Sequence, residues 1–122
     1  MNNRLHNISN PHQGKYKRIL CVCSSGLLRS PTLALVLGNM GHNARAVGSV
    51  PSHALIAIDE YLIEWADQIV FVNEENYNDV ASKFDLSDVD TITLAIPDRY
   101  PYRDPILMGI CEDQYKRATN AD

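Results

Sequence analysis

No stretch of this sequence approaches the roughly 20 consecutive apolar residues needed to cross a bilayer, so a transmembrane helix is not expected. Positive charge is also short. Lys and Arg number 11 against 15 Asp and Glu, giving a formal net charge of −4. Holding nucleic acid or an anionic membrane takes a basic surface; neither is expected as a partner, and any anion site has to be local. The first fourteen residues lack the basic start and apolar core of a signal peptide. Together these absences predict a soluble, cytoplasmic protein.

Cysteine is scarce, and its number, three, is odd. A disulfide framework needs pairs and an oxidising compartment, so reduced thiols are expected. A Cys-x-Cys pair without further well-spaced His or Cys ligands does not make a zinc site, and no metal or organic cofactor is predicted. A chain of 122 residues, 45% hydrophobic, suffices for one core and not two. Residues 1–14 combine Asn, His, Ser, Pro and Gly without hydrophobic periodicity and read as a flexible arm. Residues 15–122 read as one domain.

The domain begins with a short apolar run, Ile19-Leu20-Cys21-Val22-Cys23, the pattern of a strand covered on both faces. Ser30-Pro31 predicts a helix start, with Ser30 as the N-cap and Pro31 in the first turn, running to about Met40 before Gly41. A second strand is expected over Ala44 to Val47. Leu55, Ile58, Leu62 and Trp65 recur at helical spacing with acidic residues between them, predicting an amphipathic helix with Trp65 in the core. Gln68 to Val72 reads as a third strand, Glu74 to Phe84 as a helix, Thr91 to Ile96 as a fourth strand, and Asp104-Pro105 as the capped start of a helix continuing through Tyr115. Alternation of this kind implies an α/β domain: a three-layer αβα sandwich around a four-stranded parallel sheet with right-handed crossovers and a ligand site beyond the carboxyl ends of the strands.

At that end of the first strand stands Cys23-Ser24-Ser25-Gly26-Leu27-Leu28-Arg29-Ser30-Pro31. A loop between strand and helix turns backbone N–H groups toward an anion. A thiolate there, beside a cation, can ionise well below its usual range and act as a nucleophile. Arg29 offers a planar fork for two phosphate oxygens, which lysine cannot copy. Gly26 permits a positive φ inside a tight loop, and Ser30 is placed to donate to the thiolate. Cys23 and Arg29 are therefore the candidate catalytic pair, and Ser24, Ser25, Gly26, Leu27, Leu28 and Ser30 the candidate phosphate loop.

This segment resembles the signature of the low-molecular-weight protein tyrosine phosphatase family, Cys-x5-Arg-Ser-Pro between the first strand and first helix. Trp65-Ala66-Asp67 and Ile96-Pro97-Asp98 make the likeness strongest to a bacterial and phage branch of predicted tyrosine phosphatases, over about Arg18 to Tyr115. The resemblance implies a flavodoxin-like fold with strand order 2-1-3-4, and hydrolysis of phosphate monoesters, phosphotyrosine on a protein or a small aryl phosphate, through a phosphocysteine on Cys23. It also implies an Asp acid on the loop after the fourth strand. Asp98 is preferred because it comes directly off the strand; Asp104, which carries the family's Asp-Pro dipeptide, has an ordinary explanation as a helix cap. Two positions depart from the family: Gly26 stands where an Asn usually braces the loop, and Leu28 where many members carry a second Cys. Cys21 is the available substitute for that Cys, though a Cys21–Cys23 bond within one strand would be strained. Tyr100, Tyr102 and His53 are candidate walls for an aromatic substrate, with ordinary loop positions as the alternative.

Three other readings compete. An arsenate reductase of the same architecture would need a downstream cysteine pair, and only Cys111 follows. A non-catalytic phosphate-binding module would have no use for the nucleophile. A flavodoxin-like flavin carrier would rely on hydroxyl-rich loops, of which Ser24 and Ser25 are a weak trace.

Overall fold

The run Ile19 to Cys23 is apolar at every position because both faces of its strand are covered. In the computed structural model, which describes residues 17–52, 54–97 and 99–119, β1 (Arg18–Cys23) is an inner strand of a four-stranded sheet of order β2-β1-β3-β4. Its partners β2 (Asn43–Gly48) and β3 (Gln68–Phe71) run parallel to it, and β4 (Asp90–Thr93) runs parallel to β3. The period of two along β1 divides the core. Ile19, Cys21 and Cys23 meet Leu33, Val36 and Leu37 of α1 (Arg29–Asn39) and Leu107, Cys111 and Tyr115 of α4 (Pro105–Thr119). Leu20 and Val22 meet Ile63 of α2 (Glu60–Trp65) and Val80 of α3 (Glu74–Ala81). Each such aliphatic side chain contributes about 1.5–3 kcal/mol on burial. The predicted sandwich and strand order are therefore present; the predicted arm, residues 1–14, lies outside the described residues.

The topology places one position apart. From β1 the chain crosses through α1 to β2 on one side; from β2 it returns through α2 to β3 on the other. The strand order thus reverses at the carboxyl end of β1, where crossovers leave in opposite directions and a crevice opens. Cys23 is the last residue of that strand.

Several boundaries differ from the sequence reading. Helix α1 starts at Arg29, with Leu28 as its N-cap and no side-chain cap, so Ser30 is not the cap; its hydroxyl is engaged elsewhere. The helix predicted from Leu55 is confined to Glu60–Trp65, capped by Asp59 Oδ1, which accepts from Leu62 N at 2.9 Å. Upstream, Gly48 N donates to Ile56 O and Ile58 N to Gly48 O; this β2 pairing takes the backbone groups a helix would have needed, and Leu55 is left 81% exposed. Trp65 is half-buried against the second core, with the Arg45 guanidinium 4.5 Å from its ring centroid. Helix α3 ends at Ala81 rather than Phe84, and α4 runs on to Thr119. Regular β4 ends at Thr93, but Leu94 N still donates to Phe71 O (2.8 Å) and Ile96 N to Val72 O (2.9 Å). The Trp65-Ala66-Asp67 stretch serves the far end of the sheet: Asp67 Oδ2 accepts from Arg18 N at 2.8 Å, tying the start of β1 to β3.

Among the described residues no helix is long and apolar enough to cross a membrane.

Candidate active site

The turn from β1 into α1 is tight because Gly26 lets it be. Its φ is +77°, and a Cβ there would stand 2.9 Å from Val47 C and 3.1 Å from Gly48 N. The loop thus lies directly on the end of β2. Any side chain at position 26 would need β2 to move, which explains in packing terms why Asn does not occur here. The contact is fixed by Ser49 N donating to Cys23 O (2.8 Å) and Val50 N to Ser24 O (3.1 Å).

Within the loop the Cys23 Sγ is the focus. Gly26 N donates to it at 3.1 Å, and Ser30 Oγ lies 3.1 Å away. Ser30 Oγ is also 3.4 Å from Val47 O, an acceptor only. Its single hydrogen can go to either: with a protonated thiol it can turn to Val47 O, and with a thiolate it is drawn to sulfur. Burial is the largest single influence on this thiol and opposes ionisation. The Ser30 hydroxyl, the backbone N–H groups of Ser30 and Gly26 and the charge of Arg29 together outweigh it, and Cys23 ionises below the ordinary thiol range.

The other two thiols behave oppositely. Burial pushes Cys21 well up, with Cys111 and Cys23 adding to the effect, and burial pushes Cys111 up to about 11. All three cysteines are free, and Cys21 faces the same core as Cys23. Because thiolate is the reactive form, raising the pH should activate Cys23 first. Iodoacetamide is expected to modify Cys23 alone in the folded protein, with a pH midpoint below that of an ordinary thiol, and Ser30→Ala should move that midpoint upward. Peptide mapping by mass spectrometry reads both; labelling of Cys21 or Cys111 ahead of Cys23 would refute the assignment.

Arg29, first residue of α1 and buried, donates from Nη1 to Ile96 O at 3.2 Å. It lines, with Cys23, Ser24, Ser25 and Leu28, a cleft of about 140 Å³. Leu27 N turns back to Ser25 Oγ at 3.2 Å, and the exposed side chains of Leu27 and Leu28 add an apolar surface to the loop. The structure thus gathers the expected loop around one thiol and one guanidinium.

The stem leading from β4 toward the preferred acid is held from two directions. Arg29 holds the Ile96 carbonyl, while Gln114 of α4 donates to Ala95 O and accepts from Ala95 N, each at 2.8 Å. Asp98 itself, like His53, lies outside the described residues. Asp104 is the cap of α4, its Oδ1 accepting from Ile106 N at 2.8 Å. Its loop is brought to the start of α1 by Arg103 N, which donates to Thr32 Oγ1 at 3.1 Å; Arg103 takes the unusual φ of 65° to do so. Tyr100 is half-buried against the first core, and Tyr102 is exposed on the same loop.

Sequence reasoning passed over one group: Asn76, Ser49 and Asp79. Asn76 Nδ2 donates to Ser24 Oγ (3.2 Å) and Ser49 Oγ (3.0 Å), and Ser49 Oγ donates to Asp79 Oδ2 (3.0 Å). A signal existed, since Asn76 precedes Val80 by one helical repeat and so shares its inward face.

Among solved structures, the fold is similar to that of the YwlE arginine phosphatase from Geobacillus stearothermophilus. The TM-score is 0.63 at 16% sequence identity, covering 80% of this chain and 85% of that one. The two share a fold, the one the sequence resemblance implied. No protein-family model and no curated protein matches the chain.

Proposed function

We propose that the chain is a cysteine-dependent phosphatase of the low-molecular-weight tyrosine phosphatase type. The observation that carries this reading is the Cys23 thiol, shifted toward its anion by Ser30, Gly26 and Arg29 in a cleft sized for a small group. A loop that only captured phosphate would gain nothing from an anion at its centre, since two anions repel. A nucleophile requires it.

In this mechanism Cys23 Sγ attacks phosphorus, the S–P bond forms and the P–O bond to the leaving group breaks. An Asp gives its proton to the departing oxygen. Water then attacks the phosphocysteine, the same Asp takes the water's proton, and the S–P bond breaks to return thiolate and phosphate. Arg29 carries the equatorial oxygens throughout. Asp98 is the proposed acid, because it follows Ile96, whose carbonyl Arg29 already holds, whereas Asp104 has one carboxylate oxygen committed to capping α4.

Asp98→Ala is expected to lower kcat by about 10²- to 10⁴-fold on an ester with a poor leaving group and by much less on p-nitrophenyl phosphate, whose leaving group needs little protonation. Asp104→Ala should chiefly lower the melting temperature. The reverse pattern would transfer the role to Asp104.

As substrate we favour phosphotyrosine on a protein, supported by the exposed apolar side chains of Leu27, Leu28 and Tyr102 on the loop and its neighbour. Phosphoarginine is the second reading, suggested by the structural neighbour's being an arginine phosphatase. Phosphotyrosine and phosphoarginine peptides of one sequence separate them by kcat/KM. The whole proposal is tested by turnover of p-nitrophenyl phosphate with Cys23→Ser as control.

A further inference from the structure

Ser24, beside Cys23 in the cleft, carries a hydroxyl whose proton its surroundings leave over. Asp79 accepts from Ser49 Oγ, which spends the one Ser49 hydrogen. Ser49 Oγ must therefore accept from Asn76, and this fixes which way the amide faces: with Oδ1 turned to the serines, Ser49 would have to donate one hydrogen twice. Asn76 Nδ2 accordingly gives one hydrogen to Ser49 and the other to Ser24 Oγ. Ser24 is thus an acceptor on the side facing α3, and its own O–H is left for the cleft.

The relay is rigid. Asn76 is 1% exposed and Ser49 is 2% exposed. It is also costly, because Asn76 Oδ1 is buried with no hydrogen-bond partner among the described residues, and such an atom subtracts from stability. Packing alone would favour an apolar side chain at this position. The amide is accounted for by what its donors do.

We propose that Asn76, oriented by Ser49 and Asp79, is a positioning residue that turns the Ser24 hydroxyl into a donor for a non-bridging oxygen of the bound phosphate. This rests on the phosphatase reading. It gives the loop a side-chain hydrogen bond that Gly26 cannot make, from α3, fifty-two residues along the chain, and that bond orients one hydroxyl rather than holding the loop backbone.

The test compares Ser24→Ala, Asn76→Ala and the double variant on p-nitrophenyl phosphate, with inhibition by inorganic phosphate and the pH midpoint of Cys23 alkylation as further readouts. A hydrogen bond to a charged oxygen predicts a loss of about tenfold or more in kcat/KM for Ser24→Ala, with phosphate inhibition weakened in parallel. Asn76→Ala should lose a similar factor and the double variant little more, because both substitutions remove one interaction. The alkylation midpoint should stay in place, since the groups that set it are Ser30, Gly26 and Arg29.

The proposal is overturned by wild-type kinetics in Ser24→Ala, by losses that multiply in the double variant, or by a midpoint that rises in Asn76→Ala, which would mark a general loosening of the loop. If Asn76→Ala does not fold, the near-isosteric Asn76→Asp replaces it. Its carboxylate would claim the Ser24 proton, so the loss should at least equal that of Ser24→Ala, and wild-type activity would refute the role. Wild-type turnover that is absent, or that survives Cys23→Ser, overturns the phosphatase reading and this proposal with it; a normal wild-type enzyme with insensitive Ser24 and Asn76 variants overturns this proposal alone.

Discussion

Cys23→Ser should reduce hydrolysis of p-nitrophenyl phosphate by on the order of 10⁴- to 10⁶-fold, the scale seen when a nucleophile is removed from a covalent mechanism. The Ser30 hydroxyl, two backbone N–H groups and Arg29 shift a thiol downward, and a thiol begins close enough to neutrality for such a shift to populate the anion. An alcohol begins so much higher that the same surroundings leave it protonated and inert. The variant keeps the loop itself, because Gly26 still lies on β2 and Val50 N still holds Ser24 O. Inorganic phosphate should therefore bind at least as well as in the wild type, and better at alkaline pH, where the wild-type thiolate repels it. Retained turnover above about one per cent of wild type would remove Cys23 from the mechanism, and loss of phosphate binding would mean that the thiol builds the loop.

The parts of this site that were legible in the sequence are those set by neighbours in the chain. A strand buried on both faces must be apolar throughout, so Ile19 to Cys23 announced an inner position, and the alternation of strands and helices announced a parallel sheet covered on both faces, while the strand order came with the family resemblance. The candidate phosphate loop is a contiguous segment, so Cys23, Gly26, Arg29 and Ser30 could be singled out from their residue types and spacing between an apolar strand and a helix start. The misreadings arose where distant groups compete for local ones. Ser30 has the composition of a helix cap, but the sulfur of Cys23 lies at hydrogen-bond distance from its hydroxyl, and the helix begins one residue earlier without a side-chain cap. Leu55 and Ile58 have helical spacing, yet the edge of β2 at Gly48 pairs with the segment between them. Asn76 carried no motif, because its partners Ser24 and Ser49 lie on other elements and only the folded sheet brings them together.

Arg29→Lys should cost about 10³-fold in kcat/KM, within the range for removing preorganised donors from a charged transition state, although the formal charge is unchanged. The guanidinium is buried, and one of its nitrogens already donates to Ile96 O. Its planar fork allows other N–H groups to face the cleft at the same time. An ammonium group on a flexible stem is a point charge that cannot hold the carbonyl and two phosphate oxygens in fixed directions at once. Charge enters the ionisation of Cys23 only as the smallest of its resolved causes, so lysine should leave the alkylation midpoint nearly in place. The defect would then lie in phosphate geometry rather than in thiolate formation.

The hydrogen bond to Ile96 adds a second consequence. The stem toward Asp98 is fixed at Ala95 by Gln114 and at Ile96 by Arg29, so the side chain proposed to bind phosphate also anchors the segment proposed to deliver the proton. Arg29→Lys and Asp98→Ala should consequently be less than multiplicative when combined on an ester with a poor leaving group, as expected for residues acting as one unit. Fully multiplicative losses would show that Arg29 binds phosphate without organising the acid. Near-normal activity of Arg29→Lys would remove its bidentate role altogether.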